Sequence, residues 1–145
     1  MMSDLRVPLE HLPVMTFEQM LERVRYEGAY PTRERAAEAV HLILSGLGRR
    51  LTGDERVELA ARLPFEAASV LTAQIPDPQP ITGWAFVKDL ADRSGATPAT
   101  TRWDTGAVLA VVAAMAGPDL ITRILSRLPS GYPLLFGRAE LIQAA

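Results

Sequence analysis

The feature that most constrains this sequence is an internal repeat. The tripeptide Arg-Leu-Pro at residues 62–64 returns at residues 127–129, a shift of about 65 residues. With one gap, this shift pairs apolar residues across both halves of the chain, whereas charged residues generally do not match. The matched pairs are Thr16 and Thr82, Met20 and Phe86, Leu21 and Val87, Val24 and Leu90, Ile43 and Leu109, Leu59 and Ile124, Ala60 and Leu125, and Leu71 and Phe136. We therefore predict two copies of one supersecondary unit that share a buried face.

Each half carries the apolar spacing of helices. The i, i+3, i+4, i+7 pattern that gathers side chains on one helical face occurs at Phe17, Met20, Leu21 and Val24. Thr16 followed by Gln19 is a capping-box signal, so the first helix is expected to begin there and to end near Gly28. Thr32, Thr82 and Thr97 are further predicted caps. Neither half contains a strand-like alternation, and strands are not expected.

Other local signals predict the remaining helix ends. Thr52 with Glu55 reads as a second capping box, and Pro64 is expected at the first position of the next helix. Gly46 and Gly48 are expected to end the second helix with positive φ. Leu63 and Leu128 precede the matched prolines and are expected in the core. The acidic groups at Glu18 and Glu22, at Asp54, Glu55 and Glu58, and at Asp89 and Asp92 are expected to lie on solvated helix starts.

These signals divide the chain into five segments. An extended N-terminal arm covers residues 1–15, because it contains two prolines and no helical spacing. Helical repeat 1 covers residues 16–75 and helical repeat 2 covers residues 82–138, each with about four helices. A connector with three prolines covers residues 76–81, and residues 139–145 form a C-terminal tail. The expected fold is all-α, with the two units packed into one helical domain.

Three segments of the sequence resemble a known family. They are Glu-Arg-Ala-Ala-Glu-Ala-Val at residues 34–40, Gly-Leu-Gly-Arg-Arg-Leu at residues 46–51 and Leu-Ala-Ala-Arg-Leu-Pro at residues 59–64. The chain resembles the bacterial domain-of-unknown-function family 2267 over about residues 15–138. The resemblance implies an all-helical domain of two related helical units, and it implies no activity, ligand or catalytic residue.

Composition excludes several classes of protein. The chain has 145 residues, a net charge of −2 and no cysteine, so thiolate metal sites, iron–sulfur clusters and a cysteine nucleophile are ruled out. All basic residues except Lys88 are arginine, a bias typical of GC-rich bacterial genomes. The opening Met-Met-Ser-Asp is not followed by an apolar leader, and no apolar run has the length of a membrane span. We expect a bacterial protein of the cytoplasm, without membrane attachment.

The sequence offers no constellation of reactive groups. His11 and His41 are far apart, and His41 has only Glu38 as a companion on its helix. Ser130 beside Gly131 lacks the strand–turn–helix context of a nucleophilic serine. We therefore predict no catalytic, cofactor-binding or metal-binding residue, no cofactor, and a protein that is not an enzyme.

Two sets of residues are candidates for binding. Arginines near the predicted helix connections are weak candidates for contacts with anions or nucleic acid: Arg33, Arg35, Arg49 and Arg50. Interleaved glutamates favour ion pairs instead, so nucleic-acid binding is not expected. Trp84 and Trp103 fall on charged or small residues in the other copy, which predicts an apolar surface that something covers. Either the N-terminal arm or a partner is expected to cover it, and the arm is favoured.

The leading hypothesis is a non-enzymatic module for protein–protein interaction or scaffolding, with a protein partner or self-association. One alternative is an accessory protein that associates with nucleic acid. The other is a small-molecule binder with a pocket between the two repeats.

Overall fold

The computed structural model describes residues 14–139, and within this range it contains eight helices and no strand. The helices are α1 (Phe17–Gly28), α2 (Arg33–Gly48), α3 (Gly53–Ala61), α4 (Phe65–Thr72), α5 (Gly83–Ser94), α6 (Pro98–Ala116), α7 (Pro118–Arg127) and α8 (Tyr132–Leu135). The predicted all-α class is confirmed for this part of the chain. Most of the predicted N-terminal arm and C-terminal tail lies outside the described residues.

Four threonines begin helices as predicted. The hydroxyl oxygen of Thr16 accepts from the Gln19 backbone at 3.1 Å, and the Gln19 side chain accepts from the Thr16 backbone at 2.9 Å. Thr32, Thr82 and Thr97 also accept hydrogen bonds from backbone amides in the first turn of their helices. Each cap satisfies an amide that the helix itself leaves without an acceptor.

The predicted second capping box is wrong. Thr52 precedes α3 but makes no capping hydrogen bond with its side chain. Glu55 is buried rather than solvated, because its carboxylate faces α7, where Arg127 Nε lies 3.0 Å from Oε1. Pro64 is also displaced by one position, since it lies just before the first residue of α4.

A single hydrophobic core contains residues from both halves of the chain. Helix α1 packs against α2 and also against α6, while α2 contacts α4, α5 and α6. Most of the matched apolar residues are buried, including Met20 with Phe86, Val24 with Leu90, Ile43 with Leu109, and Leu59 with Ile124. Leu63 is buried as predicted, but Leu128 is only partly buried at the edge of this core. The superposition of the two halves as equal units stays a prediction.

Arg56 binds the C-terminal ends of both α2 and α4. The guanidinium of Arg56 donates hydrogen bonds to five backbone carbonyl groups, those of Gly48, Leu51, Leu71, Thr72 and Gln74. These carbonyls belong to the last turns of the two helices and to the residues that follow, where helical partners are missing.

The glycines at the end of α2 serve close packing rather than a left-handed turn. Neither Gly46 nor Gly48 has positive φ, which corrects the prediction. A Cβ atom at residue 48 would overlap the carbonyl oxygen of Leu71, and one at residue 46 would lie 2.8 Å from the Leu90 side chain. Glycine is therefore needed here because α4 and α5 approach α2 so closely.

Candidate interaction surface

Trp103 lies on the first half of α6 with its ring turned to the surface. Its side chain remains exposed, at 59% of the full value. The indole Nε1 nevertheless donates a hydrogen bond of 2.9 Å to the carbonyl oxygen of Gly28, at the end of α1. This bond satisfies the polar edge of the ring and gives the exposed indole one orientation.

A shallow cavity of about 510 Å³ opens beside this indole. The lining comes from α1 and α6, and consists of Glu27, Ala99, Arg102, Trp103, Gly106 and Ala107. Ala99, one turn before Trp103, and Gly106 and Ala107, one turn after it, are small and leave the cavity open. Glu27 and Arg102 supply one negative and one positive charge at its wall. An exposed aromatic ring next to a concave, partly charged surface is typical of protein interaction sites.

Trp84 and Leu134 are exposed in the same half of the chain, at 65% and 53%. Trp84 lies in the first turn of α5, where the amide of Gly83 donates to the Ser130 carbonyl oxygen at 2.8 Å. Leu134 lies on α8, and its carbonyl oxygen is 3.5 Å from the Arg102 guanidinium. We call the set of Trp84, Arg102, Trp103 and Leu134 the tryptophan surface. The arm residues expected to cover it, up to residue 13, lie outside the described range.

On the buried side of α6, the residue after Trp103 joins the two halves. Asp104 accepts a hydrogen bond of 2.5 Å from the Tyr30 hydroxyl, and Arg35 Nη2 lies 2.9 Å from its Oδ2. The Arg35 guanidinium also stacks over the Tyr30 ring, 4.9 Å from the ring centroid. Both oxygens of a nearly fully buried carboxylate therefore have donors.

The protonation state of Tyr30 follows from this environment. Burial raises the pKa of the Tyr30 phenol well above its ordinary value, and the hydrogen bond to Asp104 raises that pKa further. Because the hydroxyl must keep its proton to donate to a carboxylate, Tyr30 is neutral in the folded protein. The constellation consequently has a structural role at the junction of α1, α2 and α6.

The other predicted anion-binding arginines also have protein partners. Arg33 Nε lies 3.1 Å from a carboxylate oxygen of Glu22. Arg49 donates to the Gln74 side chain at 3.1 Å, while Arg50 pairs with Asp77 at 3.2 Å and donates to the Gln79 carbonyl oxygen at 2.9 Å. Arg50 thus attaches the proline-rich connector to the end of α2. None of the four presents a guanidinium without a protein partner.

A larger cavity, of about 800 Å³, lies between the two halves at the opposite end of α6. We call it the junction groove. Its apolar lining includes Val14, Met15, Val111, Met115 and Leu120, and its charged residues are Arg23, Arg62, Arg123 and Asp119. Arg62 donates to the Ala116 carbonyl oxygen, and Arg123 pairs with Glu58. Arg23 makes no hydrogen bond or ion pair within residues 14–139.

Residues 14–139 contain no group of three or more metal-ligating side chains. His41 is exposed on α2, and His11 lies outside this range. In the same part of the chain, no helix combines the length and apolar character needed to cross a membrane.

A family model matches residues 17–135, which is all eight helices. Its description is an uncharacterized conserved protein, DUF2267. The chain belongs to this family. No curated protein matches the DUF2267 chain. The family resemblance expected from residues 34–40, 46–51 and 59–64 is therefore confirmed, and it brings no ligand or reaction with it.

The sequence of the DUF2267 chain indicated part of this surface, but not the buried contact between Tyr30 and Asp104 behind it. Trp84, Trp103 and Arg35 were candidates, and the structure pairs Arg35 with Asp104 and Trp103 with the Gly28 carbonyl oxygen. Tyr30 and Asp104 carried no signal, because their contact joins residues 74 positions apart.

Proposed function

We propose that this protein is a non-enzymatic module for protein–protein interaction, and that its contact site is the tryptophan surface. The observation that carries the proposal is the exposed indole of Trp103, oriented by its hydrogen bond to Gly28 and adjacent to a cavity. Tryptophan and arginine in such positions commonly contribute most of the binding energy of an interface. Leu134, whose carbonyl oxygen is 3.5 Å from the Arg102 guanidinium, lies beside this site, and Trp84 is a second exposed tryptophan, on α5.

The chemistry of the site also supports binding without catalysis. The buried carboxylate of Asp104 faces the Arg35 guanidinium, and the Tyr30 hydroxyl keeps its proton. As a further part of the proposal, the module acts in a bacterial cytoplasm. Its cysteine-free, arginine-rich composition supports that setting.

Comparing matched variants tests the proposal. The purified chain and its Trp103→Ala and Trp84→Ala variants would be used to capture proteins from extract of the source cells, with sedimentation to detect self-association. Phe65→Ala is the control, because Phe65 is 82% exposed but lies on α4 in the other half. We expect a partner, or a second copy, whose retention falls with Trp103→Ala and is unchanged by Phe65→Ala. Equal retention by all four proteins would contradict the proposal.

The nucleic-acid alternative is tested separately. Retention of short duplexes that falls steeply with salt would support it, since displaced counterions give phosphate binding that dependence. The existing partners of Arg33, Arg35, Arg49 and Arg50 favour weak retention instead.

A further inference from the structure

The cavity beside Trp103 has one charge of each sign on its wall, and these two charges do not pair with each other within residues 14–139. Glu27 is exposed in the last turn of α1, and its carboxylate makes no hydrogen bond or ion pair in this range. A helix C-terminus disfavours negative charge, so this carboxylate gains nothing from its own helix. Arg102 is also exposed, and its guanidinium reaches only the Leu134 carbonyl oxygen in the described part of the chain, at 3.5 Å. Both charges are therefore available to a partner.

The two charges come from the helices that the Trp103 indole joins. Glu27 directly precedes Gly28, whose carbonyl oxygen accepts the hydrogen bond of 2.9 Å from the indole Nε1. Arg102 directly precedes Trp103 on α6. Because the hydrogen bond already orients the ring, its burial against a partner costs less conformational entropy than the burial of a free side chain. One surface thus presents an acid, a base and an oriented, exposed indole.

Helix α6 supplies a recess next to this ring. Ala99 lies four residues before Trp103, and Gly106 and Ala107 lie three and four residues after it, so all four share one helical face. Glycine has no side chain and alanine has a single methyl group, which leaves the cavity of about 510 Å³. Pockets of about 300–1,000 Å³ receive groups larger than one indole. The same surface therefore carries a protruding ring and a recess wide enough for such a ring.

A surface that carries both members of each contact fits a second copy of itself. In a two-fold assembly, each residue of the patch contacts the other copy's patch reciprocally, so the patch must complement itself. Here the indole of Trp103 complements the recess, and Glu27 complements Arg102. An acidic or a basic partner would satisfy only one of these two charges, whereas a second copy satisfies both.

We propose that two copies of this chain bind each other through the tryptophan surface, around a two-fold axis. Each Trp103 indole enters the cavity of the other copy, and each Glu27 pairs with Arg102 of the other copy. This inference rests on the proposed function, because it names the partner of the same site. One indole and a shallow cavity form a small interface, for which the expected Kd is roughly 1–100 μM.

Charge reversal in the full-length chain tests the proposal by sedimentation equilibrium. Glu27→Arg and Arg102→Glu each place like charges opposite each other twice in a two-fold dimer. Each variant alone should therefore be monomeric at concentrations at which the unmodified chain is dimeric. An equimolar mixture of the two variants should form heterodimers, because every opposed pair then has opposite signs again. The double variant with both changes should dimerise for the same reason.

Matched variants control for net charge and for folding. Glu66→Arg makes the same change of charge as Glu27→Arg, at an exposed residue of α4 that has no side-chain partner within residues 14–139, and it should dimerise like the unmodified chain. Trp103→Ala should raise the Kd about tenfold or more, while Phe65→Ala should leave it unchanged. Circular dichroism would establish that each variant is folded.

Fluorescence gives a second measurement that does not depend on charge. The chain has two tryptophans, so Trp84→Phe leaves Trp103 as the only one. Its emission should shift to shorter wavelength as the protein concentration rises, with the midpoint found by sedimentation, because the indole leaves water on association. Emission at short wavelength at every concentration in a monomeric protein would place the ring under a part of its own chain, and would overturn the proposal.

The remaining outcomes separate this inference from the proposed function. A chain that stays monomeric at roughly 1 mM overturns binding to a second copy. If that monomer still captures another protein and loses it with Trp103→Ala, the proposed function stands without a second copy, and if it captures none, both fail. Dimers that tolerate both single charge reversals, or folded variants whose mixture forms no heterodimer, would place the interface elsewhere and overturn the inference.

Discussion

The Tyr30 hydroxyl donates a hydrogen bond of 2.5 Å to Asp104, 74 residues farther along the chain. This contact links the turn between α1 and α2 to the buried side of α6. Arg35 completes the arrangement by donating to both oxygens of the same carboxylate. The junction therefore depends on one acidic side chain with two kinds of donor.

Asp104→Ala should lower the free energy of unfolding by about 2–4 kcal/mol, because it leaves a buried hydroxyl and a half-buried guanidinium without their acceptor. Urea denaturation would measure the loss. Asp92→Ala is the control, since Asp92 forms only an exposed ion pair with Lys88. A loss below about 1 kcal/mol for Asp104→Ala would show that the junction contributes little.

Stability should decrease at alkaline pH through the buried tyrosines. Burial raises the pKa of Tyr132 to about 12, and the pKa of Tyr30 is also raised from its ordinary value of 10.0. The unfolded chain thus loses phenolic protons above about pH 10 while the folded chain keeps them, so this stability is present below pH 10 and is lost as the pH rises.

Urea midpoints between about pH 9 and pH 11 would measure this decrease. In the Tyr30→Phe variant, the urea midpoint should fall less steeply with pH than in the unmodified chain. The exposed Tyr26 supplies the control, and Tyr26→Phe should leave the slope unchanged. If Tyr30→Phe leaves the slope unchanged too, the Tyr30 phenol does not titrate as its burial implies.

Arg56→Lys should destabilise the fold by about 1–3 kcal/mol although it keeps the charge. A lysine ammonium lacks the planar fork with which Arg56 reaches carbonyls of both α2 and α4. Thermal or urea unfolding would measure the change. Arg93→Lys, at an exposed pair with Asp89, should be nearly neutral, and an equally small effect at Arg56 would contradict the assignment.

Replacement of the two matched leucines by alanine should lower the free energy of unfolding by different amounts. Leu63→Ala should lower stability by about 2–5 kcal/mol through lost burial and a cavity, because Leu63 is buried in the core. Leu128→Ala should have a distinctly smaller effect, since that side chain is only partly buried. Equal losses in reversible denaturation would indicate that the two positions are packed alike after all.

Local signals in the sequence were sufficient to predict most helix starts. A threonine cap acts within three residues, so Thr16, Thr32, Thr82 and Thr97 were readable without knowledge of the fold. The apolar spacing likewise identified the buried faces of α1 and α5, because a helix repeats every 3.6 residues.

Contacts between distant residues were beyond the reach of these signals. Glu55 failed as a capping residue because Arg127, on a helix from the other half, attracts its carboxylate. No local signal indicated the role of Arg56, because only the fold brings the terminal carbonyls of α2 and α4 around its guanidinium. At the candidate site, the mismatch between the two aligned halves of the sequence singled out Trp103, whereas nothing in the sequence indicated its hydrogen bond to Gly28.

The packing of α1 against α6 has a consequence for synthesis of the chain. Ribosomes add about 5–20 residues per second, so Asp104 follows Tyr30 after roughly 4–15 seconds. During that interval the nascent α1 and α2 display an apolar face whose cover has not yet been translated. Chaperone protection of the first half would matter during this interval, and slow codons between the two halves would prolong its exposure.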